Sequence, residues 1–342
     1  MSDSLLGLFP LKWREFWRYA AAEEENLQEI RLRVDRPIII IRQGRECYLD
    51  ERGYFTDKQD KAHISGEEEL EGFLQHICNY SLYAFEDEIR QGFITVTGGH
   101  RVGIAGQVVL DKPGSVRTIK HISYINIRIA HEIKGAADEV LSKLYIDGRL
   151  KNTLIISPPG CGKTTLLRDL IRQISDGNVY GEGLCVGVVD ERSEIAGSYM
   201  GKPQNDVGIR TDVLDACPKA LGMMLLLRSM APQVIAIDEL GGREDMEALY
   251  LAAACGSRIV ATIHGEGLHD VCRKFGADNL LKKQIFECFL VLGKKEGKFK
   301  IMRYYGKEEA YAEIGGNGYD CGGLSGAGVM VQAAAASQGT GS

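Results

Sequence analysis

The sequence predicts an α/β protein: a parallel-sheet domain over residues 136–310, preceded by a smaller mixed α+β domain over residues 1–135 and followed by a low-complexity tail over residues 311–342. Three observations lead there. After residue 150, short apolar runs alternate with helix-length amphipathic stretches, and such alternation lays crossover helices over a parallel sheet. Several of those runs end in acidic or polar residues, at the end of the strand where open α/β sheets hold their ligands. The size and balance also fit, because 342 residues can bury two sizeable cores, and 44% hydrophobic with 26% charged residues is an ordinary globular composition.

The elements follow in order. Residues 12–25 read as a helix ending in an acidic run, and residues 30–34 alternate with the period of two that marks a strand. Pro37 starts a short apolar run over 38–42, Gln43-Gly44 makes a turn, and 47–49 returns. Ser65 and Glu68 have the spacing of a capping box, which predicts a helix start with Leu70, Phe73, Leu74 and Ile77 inward. Residues 93–97 and 102–110 read as strands around Gly98-Gly99-His100-Arg101, and 126–130 as another. Gly135 and Ala136 mark the boundary. A short helix over 138–145 then leads into strand, helix, strand, helix, strand, helix, strand, with one helix placed over 216–230. Residues 286–292 and 299–304 read as an antiparallel pair. From Gly315 onward the chain is rich in Gly, Ala and Ser without periodicity, a composition that predicts disorder.

Charge and composition exclude several classes. A net charge of −6 argues against wholesale attraction to nucleic acid or anionic lipid. No apolar run approaches the ~20 residues of a membrane span. The first residues lack the basic and long apolar regions of a secretory signal, so none is expected. Nine cysteines are scattered without a C-x-x-C pair, which reads as buried reduced thiols in a cytoplasmic protein. The histidines show no metal-ligand spacing, and no structural zinc site is expected.

The most informative stretch is Ser157-Pro158-Pro159-Gly160-Cys161-Gly162-Lys163-Thr164-Thr165. It follows the apolar run 153–156 and opens a helix with Leu166, Leu167, Leu170, Ile171 and Ile174 on one face. Strand, glycine-rich turn, Gly-Lys-Thr and helix form the layout of a phosphate-binding P-loop. Small residues let successive backbone N–H groups curl around an anion, and the helix N-terminus adds positive charge. Lys163 would reach the β- and γ-phosphates, and the Thr164 hydroxyl would bind Mg²⁺. Ser157 stands where the motif has its first glycine, which is tolerable if its φ is negative. Cys161 sits at a helix N-terminus that lowers a thiol pKa, but a small side chain that fits the loop is the simpler reading.

Hydrolysis needs more than binding. Val234-Ile235-Ala236-Ile237-Asp238-Glu239 is a buried strand ending in acids: Asp238 would hold the metal, through water, and Glu239 would polarise the attacking water. A second run, 186–189, ends in Asp190-Glu191-Arg192-Ser193-Glu194, where Glu191 and Glu194 either support the metal or its water or form a capped turn. A third, 258–261, ends in Thr262-Ile263-His264-Gly265; Thr262 or His264 would sense the γ-phosphate, or His264 is structural. Cationic help for phosphoryl transfer is sought among Arg192, Arg210, Arg228 and Arg258, any of which can equally be a surface residue. A cation supplied in trans requires an oligomer.

These motifs together resemble the stage III sporulation protein AA family. The resemblance rests on 157–165 followed by Leu-Leu-Arg-Asp, 189–195, Leu227-Arg228-Ser229-Met230-Ala231-Pro232 running into Asp238-Glu239, and Thr262-Ile263-His264-Gly265. Glu29–Arg33 with Arg36-Pro37, Gly98–Gly103 and Asn126–Ala130 extend it into the first domain. More broadly the chain is similar to the secretion ATPases of type II and type IV systems, in which the acidic stretch is an "Asp box" and the Thr-x-His stretch a "His box". The resemblance implies a RecA-like P-loop NTPase core and a cytoplasmic Mg²⁺-dependent ATPase that assembles as a hexamer. It also implies a place at the membrane on the mother-cell side, where integral membrane proteins of a channel complex would be its partners during endospore formation. The glycine- and alanine-rich tail has no counterpart in that pattern. The competing reading is a nucleic-acid-dependent RecA-like ATPase using Arg31, Arg33, Arg36, Arg42 and Arg45 as a basic groove. The acidity of the chain and the lack of interleaved aromatics disfavour it, and no nucleic acid is expected as a partner.

Overall fold

Ile30 and Leu32, two apart in sequence, are both buried, and this period carries the first half of the chain into a sheet. The computed structural model describes residues 4–112, 114–275, 283–295 and 298–316. Strands β1 (Leu27–Arg33), β2 (Ile39–Arg42), β3 (Arg45–Leu49), β4 (Phe55–Thr56), β5 (Phe93–Thr95), β6 (Arg101–Lys112) and β7 (Ser115–Arg128) form an antiparallel sheet in the order β4-β3-β2-β1-β7-β6-β5. Ile30 lies between Ile40 and Ile127, so one buried residue from each of three strands meets in a row. Helices α1 (Arg14–Ala22), α2 (Glu67–Ile77) and α3 (Glu86–Gln91) complete this core, where Trp17 stacks on Phe9 at 4.1 Å between ring centres.

Two details depart from the sequence reading. Ser65 does not cap α2: it sits in a two-residue strand opposite Arg36, and its hydroxyl donates to the Arg33 carbonyl at 2.7 Å. Gly66 occupies the N-cap without a side-chain bond, and Glu67, Glu68 and Glu69 in the first turn favour the helix electrostatically instead. The strand expected over 126–130 is the end of the fourteen-residue β7. Register shifts between β6 and β7 and a left-handed His121 (φ 47°) break the period of two there, which hid the longer strand.

His63 ties the loop before α2 to that helix, with Nδ1 3.0 Å from Glu51 Oε2 and Nε2 3.1 Å from Glu69 Oε2. The hydrogen bond to Glu69 outweighs burial and raises its pKa from 6.5 to about 9. A raised histidine stabilises the fold fully below about pH 6.5 and loses that contribution as pH rises through about 9. The first domain is therefore expected to melt at a higher temperature at pH 6 than at pH 9.5, and His63→Gln to flatten that dependence. An identical pH profile in the variant rules the pair out as its source.

In the second half the apolar runs are buried on both faces, as a parallel sheet requires. Helix α4 (Asp138–Leu144) leads to β8 (Thr153–Ser157), α5 (Lys163–Asp176), β9 (Val186–Asp190), β10 (Thr211–Asp215), α6 (Lys219–Ser229), β11 (Val234–Ile237), α7 (Arg243–Ala254), β12 (Arg258–His264) and α8 (Leu268–Phe275). β13 (Cys288–Lys295), β14 (Lys298–Gly306) and α9 (Lys307–Gly316) follow. The sheet order is β10-β9-β11-β12-β8-β13-β14, parallel except for β14 against β13, as the sequence suggested for that pair. Leu154 and Ile156 enter the core on one face and Ile155 the core on the other.

β10 went unread because Thr-Asp-Val-Leu-Asp forms a half-buried edge with no apolar run. The break expected at residue 311 falls inside α9, whose Tyr311 and Ile314 are buried in the core of the parallel-sheet half. The expectation of disorder from Gly315 onward falls outside the described residues beyond Gly316. Among the described residues all eight cysteines are free; six are buried, while Cys185 and Cys255 are exposed. Burial pushes the thiols of Cys78, Cys272 and Cys288 up to about 11, which keeps them unreactive. Among the described residues no helix is long and apolar enough to cross a membrane.

Candidate active site

β12 lies between β8 and β11, so the carboxyl ends of three adjacent strands present the P-loop, the Thr-x-His residues and the Asp-Glu pair side by side. Ser157 is the buried last residue of β8; it is not among the positive-φ residues, and its hydroxyl donates to the Pro158 carbonyl at 2.9 Å. Serine is thus accommodated at the motif's first glycine position. The turn continues through Pro158, Pro159, Gly160 and Cys161. Glycine is required at Gly160 (φ 68°) and Gly162 (φ 79°), where a side chain would strain the backbone by ~1–2 kcal/mol. Gly162 is the N-cap of α5, so Lys163, Thr164 and Thr165 form its first turn and free backbone N–H groups face the loop.

Lys163 is buried with its ammonium 3.1 Å from Asp238 Oδ1 and 4.0 Å from Glu239 Oε2. Thr164 donates to Asp238 Oδ2 at 2.6 Å, and Thr262 donates to Asp238 Oδ1. The Thr262 hydroxyl also accepts the Glu239 N–H at 2.8 Å. Two elements, α5 and β12, therefore fix one carboxylate. Glu239 has a left-handed backbone (φ 60°), an uncommon conformation for a non-glycine residue that recurs at functional sites. Its Oε1 is 2.8 Å from His264 Nε2, its Oε2 is 3.2 Å from Arg192 Nη1, and His264 Nδ1 lies 3.4 Å from the Ser157 carbonyl.

The donor set suits Mg²⁺. Thr164 and Asp238 place a hydroxyl and a carboxylate together, and Mg²⁺ prefers few protein oxygens with its remaining positions left to water and phosphate. Among the described residues no cluster of three or more His, Cys, Asp or Glu could hold a metal by itself.

The acidic stretch after β9 is organised differently from the sequence reading. Asp190 is buried and accepts the N–H groups of Glu194, Ile195 and Ala196 at 2.9, 3.0 and 2.8 Å, so it shapes the loop. Burial outweighs those bonds and pushes its pKa up to about 6. Glu191 pairs with Lys219, and Glu194 with Arg101 of the first domain at 3.1 Å, so their recorded partners are cations rather than Thr164 or Asp238. The stretch instead brings Arg192 to Glu239. The available signal was strand order: Val189 is paired with Ile237, so the residues just past both strands are neighbours.

The other candidate cations lie elsewhere. Arg210 donates to the Ser175 carbonyl at 2.9 Å. Arg258 starts the seven-residue β12, about 20 Å from its polar end at 3.3 Å per residue, and lies 3.7 Å from Glu287. Arg228 is exposed on α6 and makes no ion pair among the described residues.

The same loop carries the contacts between the halves. Besides Glu194 with Arg101, Gln204 Oε1 accepts the Gly98 N–H at 3.1 Å, and Asp206 pairs with Lys134.

Among solved structures, the Legionella pneumophila ATPase DotB has a similar fold, with a TM-score of 0.55 and 17% identity over 88% of this chain and 82% of that one. The pilus retraction motor PilT with bound ADP gives a TM-score of 0.58 and 14% identity over 87% of this chain and 86% of that one. Stage III sporulation protein AA of Bacillus subtilis (strain 168) is 41% identical over 283 residues, 83% of this chain and 88% of the relative. The family described as sporulation stage III, protein AA, matches residues 3–311, and with that span and that relative the chain belongs to this family.

Proposed function

We propose that the chain is a Mg²⁺-dependent ATP hydrolase that works as a ring, a hexamer, and energises a transenvelope channel complex during endospore formation. The observation that supports this most directly is the convergence of Lys163, Thr164, Asp238, Thr262, Glu239 and His264 at the P-loop. The sporulation family of the chain and the description of DotB as an ATPase agree with it.

Backbone N–H groups of 160–165 and the Lys163 ammonium would grip the β- and γ-phosphates, and residues 157–159 would hold the loop in shape. Until phosphate arrives, Lys163 is kept in place by Asp238. Thr164 and Asp238 would hold Mg²⁺, which would supply positive charge to offset the negative charge of the phosphates. Glu239 Oε1 or Oε2 would take the proton of the attacking water, with His264 and Arg192 fixing the carboxylate. Arg228, exposed and without an ion pair among the described residues, is the cation a neighbouring subunit would receive. Glu191 acts at most through the loop that carries Arg192. The working location is the cytoplasmic, mother-cell face of a membrane, against integral membrane proteins. The basic-groove alternative is weakened because Arg31 pairs with Glu29 at 2.6 Å and Arg42 with Glu23 at 2.8 Å.

Purified protein is expected to retain labelled ATP and release phosphate only with magnesium; absence of both removes the proposal. With a non-hydrolysable ATP analogue its size should shift to a large closed species. A constant monomer, or loss of that shift without change in nucleotide affinity only in variants other than Arg228→Ala, counts against the ring or against Arg228 respectively.

A further inference from the structure

Asp238, Glu239, Thr262 and His264 stand on or just past β11 and β12, on one side of β8. The γ-phosphate end of a triphosphate held by the loop must face them. A nucleoside triphosphate is a linear chain, so its α-phosphate and base leave the loop on the other side of β8. The strand on that side is β13, parallel to β8 with Val291 opposite Ile156. Farther along β13, Lys294 is in direct register with Phe299 of β14, and side chains directly opposite in an antiparallel pair share one face.

Both side chains reach the loop. A Cβ added at Gly162 would lie 2.8 Å from Phe299 Cδ1, and one added at Gly160 would lie 3.9 Å from Lys294 Nζ. Phe299 is half-buried and Lys294 exposed, so each keeps surface for a ligand. Neither takes part in the hydrolysis described above. We propose that the two form the base side of the nucleotide site: the Phe299 ring is the surface on which the base stacks, and the Lys294 ammonium pairs with the α-phosphate. This deepens the nucleotide reading of the P-loop and rests on it.

Stacking of a base on an aromatic ring is worth about 5- to 150-fold in affinity. The test compares a ligand with a base and one without, ADP and inorganic pyrophosphate, by calorimetric titration in magnesium. Wild type is expected to bind ADP more tightly. Phe299→Leu, which keeps apolar packing on Gly162 without an aromatic face, should shrink the ADP-to-pyrophosphate affinity ratio by about 5-fold or more. It should leave pyrophosphate affinity and unfolding temperature near wild type, and Phe299→Trp should preserve the ratio. Lys294→Gln should weaken ADP by about 2- to 5-fold, the scale of an exposed ion pair. A simple packing role for Phe299 would move both ligands together. An unchanged ratio in Phe299→Leu, or equal binding of the two ligands by wild type, overturns the assignment while the P-loop reading stands. Wild type that binds neither ligand overturns both.

Discussion

Lys163→Ala is expected to abolish measurable ATP retention and to lower phosphate release by at least about 10³-fold, the scale on which a cation acts on a transferring phosphoryl group. The ammonium is buried and reaches both carboxylates of the site, at 3.1 and 4.0 Å, and no other lysine is recorded beside Asp238. The fold should survive the change. Asp238 keeps its two threonine donors, and Glu239 keeps His264 and Arg192. Filter retention of labelled ATP, alongside an unfolding curve, checks both statements. Wild-type retention by a folded variant would remove the lysine from the site.

Glu239→Gln should separate binding from turnover. The amide has nearly the same shape, and its carbonyl oxygen can still accept from His264 or Arg192, but it takes up no proton. ATP affinity is expected to stay within a few-fold of wild type while hydrolysis slows by about 10²–10⁴-fold, the range for loss of a general base. The left-handed backbone at this position is unaffected, so a large change in stability is not expected. Equal rates in single-turnover phosphate release would show that another group prepares the water.

Much of the fold and of the P-loop was legible because the physics there is local. β8 and β11 are buried on both faces and had to be apolar throughout, and the turn after β8 needs left-handed glycines. Asp238 and Glu239 stood out because acids directly after a buried run sit at the end of a strand. What escaped depends on non-local pairing. β10 is an edge with little burial, and β7 is broken by bulges that erase its period. The placement of Arg192 beside Glu239 follows from β9 lying next to β11, an adjacency that no spacing within either segment reveals. The Ser65 cap misled for the same reason, since a strand partner distant in sequence had already claimed the hydroxyl. Arg210 and Arg258 were plausible only while their ends of the structure were unknown.

Ser193 alone separates Arg192, which touches the candidate base, from Glu194, which touches the first domain through Arg101. The chain between them is short, and the buried Asp190 fixes its far end by accepting the amides of Glu194, Ile195 and Ala196. The segment that sets the guanidinium beside Glu239 is therefore the same one that meets the first domain. Domain contact and chemistry share one short strap.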